Sequence, residues 1–246
     1  MNMKKIMIAA AAAALVCGCA KQDENTLKMI TEATFPPYEF LRGQELVGID
    51  VEICRAVADK LGRAFASETV DFDSVIPAVI SGKADLAAAG ITITEDRKKN
   101  VDFSDPYITT GIVVIYKASN PYTAPEALKG LRIGVQSGTT SETYVLEKLG
   151  QEPERTRSPA EAVAALKAGR VDFVIADIDP AKNCIKGEPE LAISDFISSE
   201  DYAIAIRKGR PDLLKAVNET IADIKADGRL AKWVEQYTEE ADKLKE

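Results

Sequence analysis

The chain has 246 residues, of which 46% are hydrophobic and 28% charged, and its formal net charge is −8. This length accommodates one large domain or two small ones, and the negative charge argues against nucleic acid as a partner. Histidine is absent from the sequence, which excludes histidine-based catalytic triads, histidine-ligated zinc and imidazole acid–base chemistry.

The first 18 residues have the pattern of a secretory signal peptide. Lys4 and Lys5 precede an apolar run that is too short to span a bilayer. The sequence VCGC that ends at Cys19 resembles a bacterial lipoprotein box, whose cleavage leaves Cys19 as a lipidated N-terminus. Ordinary cleavage nearby is the alternative. Loss of residues 1–18 changes the net charge to −10, because it removes two lysines and no acidic residue. Residues 21–26 are polar and unpatterned, which predicts a short tether over residues 19–26.

Two cysteines remain after Cys19, at positions 54 and 184. They are far apart and form no CxxC motif or metal-ligand spacing, so we expect no metal and no cofactor. Cys54 lies in a helical pattern next to apolar residues, which predicts a small buried side chain.

The chain then alternates strands and helices. Residues 27–31 read as a strand, and residues 48–61 as a helix capped near Asp50. Residues 72–81 read as a second helix, and the small apolar run 85–91 as a buried strand. This alternation favours an α/β fold with mainly parallel strands.

A charged helix start follows that strand. Thr94 has the character of an N-cap, with Glu95 and Asp96 in the first helical turn. Arg97 falls in the same turn, where the helix dipole disfavours a cation unless an anion binds there too. The alternative is that Arg97 belongs to a solvated charge run.

The second half of the chain repeats the pattern of the first. Residues 80–86 are echoed by residues 167–173, and residues 27–32 by residues 131–136, which predicts two similar lobes. Ligands of open parallel sheets bind beyond the carboxyl ends of the strands. The polar or glycine positions at such ends are Glu32, Gly90, Gln136 and Asp177. If the lobes face each other, these four residues converge on one cleft.

Two β-rich segments, 111–117 and 201–207, are separated by about one lobe and could cross between the lobes as a hinge. A helix over residues 213–224 follows and ends at Asp227-Gly228. In the last helix, residues 230–237 carry large apolar side chains that we expect to pack in the core.

Three motifs resemble one family. The runs AGITITEDRKK with VDFSDPY, TFPPYEF at 34–40 and GVQSGTT at 134–140 are similar to those of the polar amino-acid-binding proteins of bacterial ABC importers. The resemblance covers about residues 27–238. It implies the two-lobed periplasmic-binding-protein fold, in which each lobe has a mainly parallel sheet with flanking helices and two hinge strands cross between the lobes. The corresponding division is 27–108 and 206–246 for the first lobe and 109–205 for the second.

The resemblance also implies how the lobes hold an amino acid. Arg97 would bind the α-carboxylate, helped by Thr92 and by the backbone around Thr139 and Thr140. Asp177 would bind the α-ammonium, with the Gly90 carbonyl as a second acceptor. These pairings suit a guanidinium fork and a buried carboxylate. Phe35 and Phe72 would form the walls of the side-chain pocket, although either could be an ordinary core aromatic.

The remaining polar residues bear on the choice of ligand. Glu32 is the candidate counter-charge for a cationic side chain, and Gln136 a neutral polar partner. The combination of TEATFPPYEF with VQSGTT is most similar to arginine-binding members, which predicts arginine ahead of lysine. Glu32 is also similar to the residue of cystine-binding members, so cystine and neutral polar amino acids stay open.

The resemblance implies a binding protein and not an enzyme. Its partners would be a small-molecule amino acid, the permease subunits of an ABC transporter and a membrane reached through the lipid anchor. We expect a monomer in the periplasm or at the cell surface. One alternative is a prephenate or arogenate dehydratase on the same fold, with Asp179 or Glu142 as general acid. Another is the sensor module of a receptor.

Overall fold

The computed structural model describes residues 25–243, which form two large β-sheets with flanking helices. The predicted signal peptide and the predicted lipid attachment site at Cys19 lie outside these residues. The first strand begins at Thr26, so the last residue of the predicted tether already belongs to a sheet. Within residues 25–243, no helix has the length and apolar character needed to cross a bilayer.

The strands and helices follow one another along the described chain. The strands are β1 (Thr26–Thr31), β2 (Thr34–Phe35), β3 (Glu39–Arg42), β4 (Glu45–Val47), β5 (Ala64–Thr69), β6 (Leu86–Ala87), β7 (Val101–Phe103), β8 (Ile108–Lys117), β9 (Ile133–Gln136), β10 (Glu154–Thr156), β11 (Phe173–Asp177), β12 (Leu191–Ile193), β13 (Ser198–Tyr202) and β14 (Ala205–Arg207). The helices are α1 (Ile49–Leu61), α2 (Phe72–Ile80), α3 (Glu95–Lys98), α4 (Thr140–Tyr144), α5 (Pro159–Lys167), α6 (Ile178–Ile185), α7 (Pro211–Ala226) and α8 (Arg229–Lys243). A π-helical turn, Val145–Leu149, continues α4, and a 3-10 turn covers Pro125–Leu128.

The first sheet has the strand order β5-β1-β6-β14-β7. β1 pairs in parallel with β5 and β6, whereas β14 pairs antiparallel with β6 and β7. Side chains of β1 alternate between the two faces: Leu27 and Met29 join the core beneath α1, α7 and α8, and Ile30 joins the core beneath α2. Each such burial contributes about 1.5–3 kcal/mol to the free energy of unfolding.

The second sheet has the order β10-β9-β11-β8-β12, and β13 also pairs with β8. β9, β10 and β11 are parallel, and β8 is antiparallel to each of its neighbours. Parallel strands therefore form one half of each sheet, and antiparallel strands form the half next to the connections between the lobes. The predicted two-lobed α/β fold is confirmed.

Two connecting segments, 104–107 and 203–204, join the sheets side by side. The Ser104 amide donates to the Ile204 carbonyl at 3.0 Å, and the Tyr107 amide donates to the Tyr202 carbonyl at 2.9 Å. The predicted hinge segment 201–207 contains one of these crossings. The other crossing precedes the predicted segment 111–117, which lies entirely within β8 of the second sheet.

The apolar run 85–91 forms a shorter strand than its composition predicts. Only Leu86 and Ala87 pair with β1 and β14. Gly90 then takes a φ of +53°, a left-handed conformation that turns the chain out of the sheet. The remaining apolar residues are buried in the first lobe without being part of the strand.

Asp50 does not cap α1, contrary to the sequence prediction. Gly48 occupies the N-cap position and makes no side-chain hydrogen bond there. Asp50 is instead fully buried, and its Oδ2 accepts the Gly90 amide at 2.9 Å. Burial raises the pKa of Asp50 to about 6, although the hydrogen bond from the Gly90 amide opposes this rise. A residue of the first helix thus fixes the loop that follows β6.

The packing predictions for the helices are confirmed. Cys54 is buried in α1. Leu230 and Tyr237 of α8 are buried in the same core, and Trp233 packs against it from a partly buried position. These aromatic side chains of the last helix therefore stabilise the first lobe.

Candidate functional site

The two lobes meet at the carboxyl ends of their parallel strands, as the sequence predicts. Glu32 directly follows β1, and Gln136 is the last residue of β9. The Gln136 Nε2 donates to Glu32 Oε2 at 2.8 Å, which is a hydrogen bond between the lobes. The Thr34 hydroxyl donates to the other oxygen of Glu32.

Glu32 lies almost completely buried in this contact, with 4% of its surface exposed. Burial raises the pKa of the Glu32 carboxyl, and the hydrogen bonds from Thr34 and Gln136 oppose that rise. A carboxylate in this position is only partly compensated by neutral donors, so a cation beside it would gain charge-assisted hydrogen bonding.

Arg97 occupies the start of α3, and Thr94 caps that helix as predicted, since its Oγ1 accepts the Arg97 amide at 3.1 Å. The Arg97 guanidinium turns away from its charged neighbours. Its Nη1 donates to the Thr92 carbonyl at 2.8 Å and its Nη2 to the Gly138 carbonyl of the other lobe at 2.9 Å. Burial lowers the pKa of Arg97. Arg97 therefore faces the cleft and is not part of the solvated charge run.

Asp177 ends β11 on the opposite side of the cleft and is 7% exposed. The Tyr202 hydroxyl donates to its Oδ1. Burial, and then the negative charge of Glu200, raise the pKa of Asp177 to about 7, while the Tyr202 hydrogen bond opposes the rise. A carboxyl in this environment becomes a favourable partner for a cation that displaces its proton.

Thr92 and Glu200 form a buried pair between these two charges. The Thr92 hydroxyl donates to Glu200 Oε2 at 2.5 Å. Because its hydrogen is engaged by Glu200, the hydroxyl presents lone pairs to a ligand, which suit an ammonium group. The resemblance had associated Thr92 with the α-carboxylate, and the sequence analysis did not single out Glu200. The available signal was an acidic residue directly before the predicted hinge segment 201–207.

Thr139 and Thr140 form the start of α4. Thr139 is the N-cap: its Oγ1 donates to the Gln136 carbonyl at 2.7 Å and accepts the Glu142 amide at 3.3 Å. Thr140 is the first helical residue. The first amides of a helix lack partners within it, so this segment can supply backbone donors. The carbonyl of Gly138, which precedes the cap, already accepts a hydrogen bond from Arg97 Nη2.

The two predicted aromatic walls have different surroundings. Phe35 is 5% exposed and packs with Tyr38 and Tyr202, with ring centroids 5.8 Å and 6.4 Å away. A Cβ on Gly90 would lie 2.7 Å from the Phe35 ring, so this position requires glycine. Phe72 begins α2 and lies beneath Arg97, whose guanidinium carbon is 5.6 Å from its ring centroid.

A further hydrogen bond between the lobes was not predicted. The Tyr38 hydroxyl donates to Asp179 Oδ2 at 2.7 Å, joining the first lobe to the start of α6. Asp179 was one of two candidate general acids, and the other, Glu142, accepts Arg155 Nε at 2.6 Å and the Gly138 amide at 2.7 Å. Both carboxylates therefore take part in contacts that fix the structure around the cleft.

Comparison with known proteins identifies relatives of this chain among solute-binding proteins. The family model of bacterial extracellular solute-binding proteins, family 3, matches residues 27–240. The putative ABC transporter arginine-binding protein 2 of Escherichia coli strain K12 is 31% identical over 92% of this chain and 95% of its own. The L-cystine-binding protein TcyJ of the same strain is 32% identical over 88% of this chain and 84% of its own.

A solved structure agrees with these sequence matches. An ancestral arginine-binding protein bound to arginine superposes with a TM-score of 0.80 and is 41% identical, covering 87% of this chain and 98% of the other. Similarity on this scale extends over both lobes and both connecting segments. The chain belongs to family 3 of the bacterial extracellular solute-binding proteins and is an amino-acid-binding component of an ABC transport system.

Proposed function

We propose that this protein binds a free L-amino acid with a cationic side chain, arginine ahead of lysine, and delivers it to the permease subunits of an ABC importer. The observation that carries the proposal is a partly buried arginine and two buried carboxylates arranged around one cleft between the lobes: Arg97, Asp177 and Glu32. An α-amino acid carries one anion and one cation at its α-carbon, and arginine adds a second cation at its far end.

Arg97 and Asp177 are assigned to the α-groups. The guanidinium would exchange its carbonyl contact with Gly138 for the ligand carboxylate, helped by amides at the start of α4 near Thr139 and Thr140. Asp177 would bind the α-ammonium together with the Gly90 carbonyl and the lone pairs of Thr92. The names of the arginine-binding relatives support an amino acid as ligand.

Glu32 is then left for the far end of the ligand. Its carboxylate is buried and receives only neutral donors from Thr34 and Gln136. Phe35 and Phe72 would pack the methylene groups between the two ends. A neutral ligand would leave the Glu32 charge uncompensated, which is costly in a buried site.

Glu32→Gln should weaken arginine binding by about 1.5–3 kcal/mol, the usual contribution of a charge-assisted hydrogen bond. The same change should leave glutamine binding unaltered or improve it, because a neutral ligand gains nothing from the carboxylate. Calorimetry of both proteins with arginine, lysine, histidine, glutamine and cystine provides the measurement.

Glu68→Gln is the matched control, because Glu68 pairs with Lys83 on the surface of the same lobe. It should leave all five affinities unchanged. If wild type prefers cystine, in agreement with its similarity to TcyJ, or if Glu32→Gln leaves arginine binding unchanged, Glu32 is not the selector.

We also propose that the mature protein begins at Cys19, carries lipid there and works as a membrane-anchored monomer in the periplasm or at the cell surface. Its lobes would be residues 27–108 with 206–246, and residues 109–205. Cys19→Ser should release the protein from membranes without changing its affinity for arginine, because every residue assigned to the ligand lies within residues 25–243. Intact-mass analysis of membrane-extracted wild type should show diacylglycerol or triacyl mass on Cys19. An unmodified N-terminus at another residue would exclude the lipoprotein.

A further inference from the structure

A cavity of ≈ 460 Å³ opens between the lobes beyond Glu32, and we call it the outer chamber. The first lobe contributes the segment after β1 and the end of β5, and the second lobe contributes the loop that leads into α5. The chamber is lined by Glu32, Thr34, Thr69, Asp71, Arg157 and Ser158, among others. Glu32 lines this space and accepts the Gln136 amide, whereas Arg97 and Asp177 of the α-group site do not line it.

This arrangement has a consequence for the far end of a ligand, which rests on the function proposed above. A cationic side chain that reaches Glu32 from the α-group site would end at the boundary of the outer chamber. A site closed by packed side chains would reject any additional atoms there, because close-packed protein has no room for them. In this protein, the region beyond Glu32 is a cavity and is not filled by packed side chains.

The charges of the outer chamber define what it would accept. Asp71 is close enough to Glu32 to contribute to the raised pKa of its carboxyl. Asp71 is also the N-cap residue of α2, but its side chain makes no cap hydrogen bond. The Arg157 guanidinium is held by Glu161, its Nη2 donating to Oε1 at 3.1 Å. Three carboxylates thus line the space with one guanidinium, which favours neutral or cationic groups over anionic ones.

We infer that the outer chamber is a second subsite, which admits neutral or cationic substituents on the distal nitrogen of a bound arginine. Thr69, which is exposed at the end of the edge strand β5, and Asp71 control it by size and by charge respectively. The ligand class is therefore wider than unmodified arginine and includes arginines alkylated at the ω-nitrogen.

Calorimetry with L-arginine, Nω-propyl-L-arginine and argininosuccinate tests this inference. In wild type, the propyl derivative should bind within about tenfold of arginine, and argininosuccinate, whose substituent carries two carboxylates, should lose more than about tenfold. Thr69→Trp should fill the chamber and weaken the propyl derivative by at least about tenfold, with less than about threefold effect on arginine. Asp71→Asn should improve argininosuccinate relative to arginine.

Glu68→Trp is the matched control, because adjacent residues of a strand point to opposite faces and Glu68 does not line the chamber. It should leave the propyl derivative and arginine unchanged. Tight arginine binding with a loss of more than about tenfold for the propyl derivative overturns the subsite alone. The subsite is also overturned if Thr69→Trp weakens arginine and the propyl derivative equally. Failure of arginine itself to bind overturns the proposed function, and the subsite with it.

Discussion

Replacing Arg97 with alanine should weaken amino-acid binding by about 2–5 kcal/mol, which is about thirtyfold to several thousandfold in Kd. The variant would leave the ligand carboxylate buried without a cation. Arg97→Lys should lie between wild type and alanine, because it keeps the charge but loses the two-pronged fork that can bind both carboxylate oxygens. Titration calorimetry with arginine provides the measurement.

Two controls separate this role from a structural one. Lys98→Ala changes a neighbouring cation of α3 that pairs with Glu95 on the surface at 2.8 Å, and it should have little effect. Arginine amide lacks the carboxylate, so it should bind wild type weakly. Its affinity for the Arg97→Ala variant should be no lower than its affinity for wild type. An equal loss for arginine and arginine amide would mean that Arg97 supports the structure and does not bind the α-carboxylate.

Asp177→Asn should reduce amino-acid affinity by a comparable amount, about 2–5 kcal/mol, because the ligand ammonium loses its buried counter-charge. N-acetyl-arginine has no ammonium and should bind wild type and variant with similar, low affinity. Asp172→Asn is a suitable control, since Asp172 precedes β11 at its opposite end and pairs with Arg132 at 2.7 Å. Unchanged arginine affinity in Asp177→Asn would contradict the assignment.

The same residue should make lobe contact depend on pH when no amino acid is added. An exposed carboxyl has a pKa of about 3.9, and burial raises the pKa of Asp177 to about 7 in the arrangement in which the lobes are in contact. The Asp177 carboxyl therefore binds its proton more tightly when the lobes are in contact than when it is exposed. Falling pH between about 7 and 4 favours it by about 1.4 kcal/mol per pH unit, and rising pH through 7 removes that preference.

Small-angle scattering from pH 4 to pH 8 measures this effect as a change in the radius of gyration. Wild type should be more compact at pH 5 than at pH 8. The Asp177→Asn variant cannot ionise at this position and should lose most of the dependence. If the variant shows the same dependence as wild type, other buried acids such as Asp50 control the motion.

Local sequence signals predicted much of this fold. The strand over residues 27–31, the helix over residues 48–61 and the Thr94 cap each depend on neighbours within a few residues, and the structure contains all three. The extent of the strand within the run 85–91 was harder to predict, because small apolar residues are favoured both in buried loops and in buried strands. Its strand ends at Ala87, where pairing with β1 and β14 stops.

The contacts around the cleft could be predicted only in part. Strand-end positions brought Glu32 and Gln136 together correctly, because sheet topology alone determines where those ends lie. The pair Thr92–Glu200 joins residues 108 positions apart, and no periodicity or cap signal connects them. Asp50 shows the same limit, since the sequence identifies an acid near a helix start but not the Gly90 amide that it binds.

The hydrogen bond between Tyr38 and Asp179 has a consequence for how long a solute is retained. It joins the two lobes directly, so its free energy contributes to the contact between the lobes and not to the binding of any particular solute. Its strength therefore changes the escape rate of every captured amino acid by one common factor. In the function proposed above, discrimination between solutes rests with other residues, such as Glu32. The dissociation rate and the selectivity between solutes can then vary separately in this family, because different side chains of the same cleft control them.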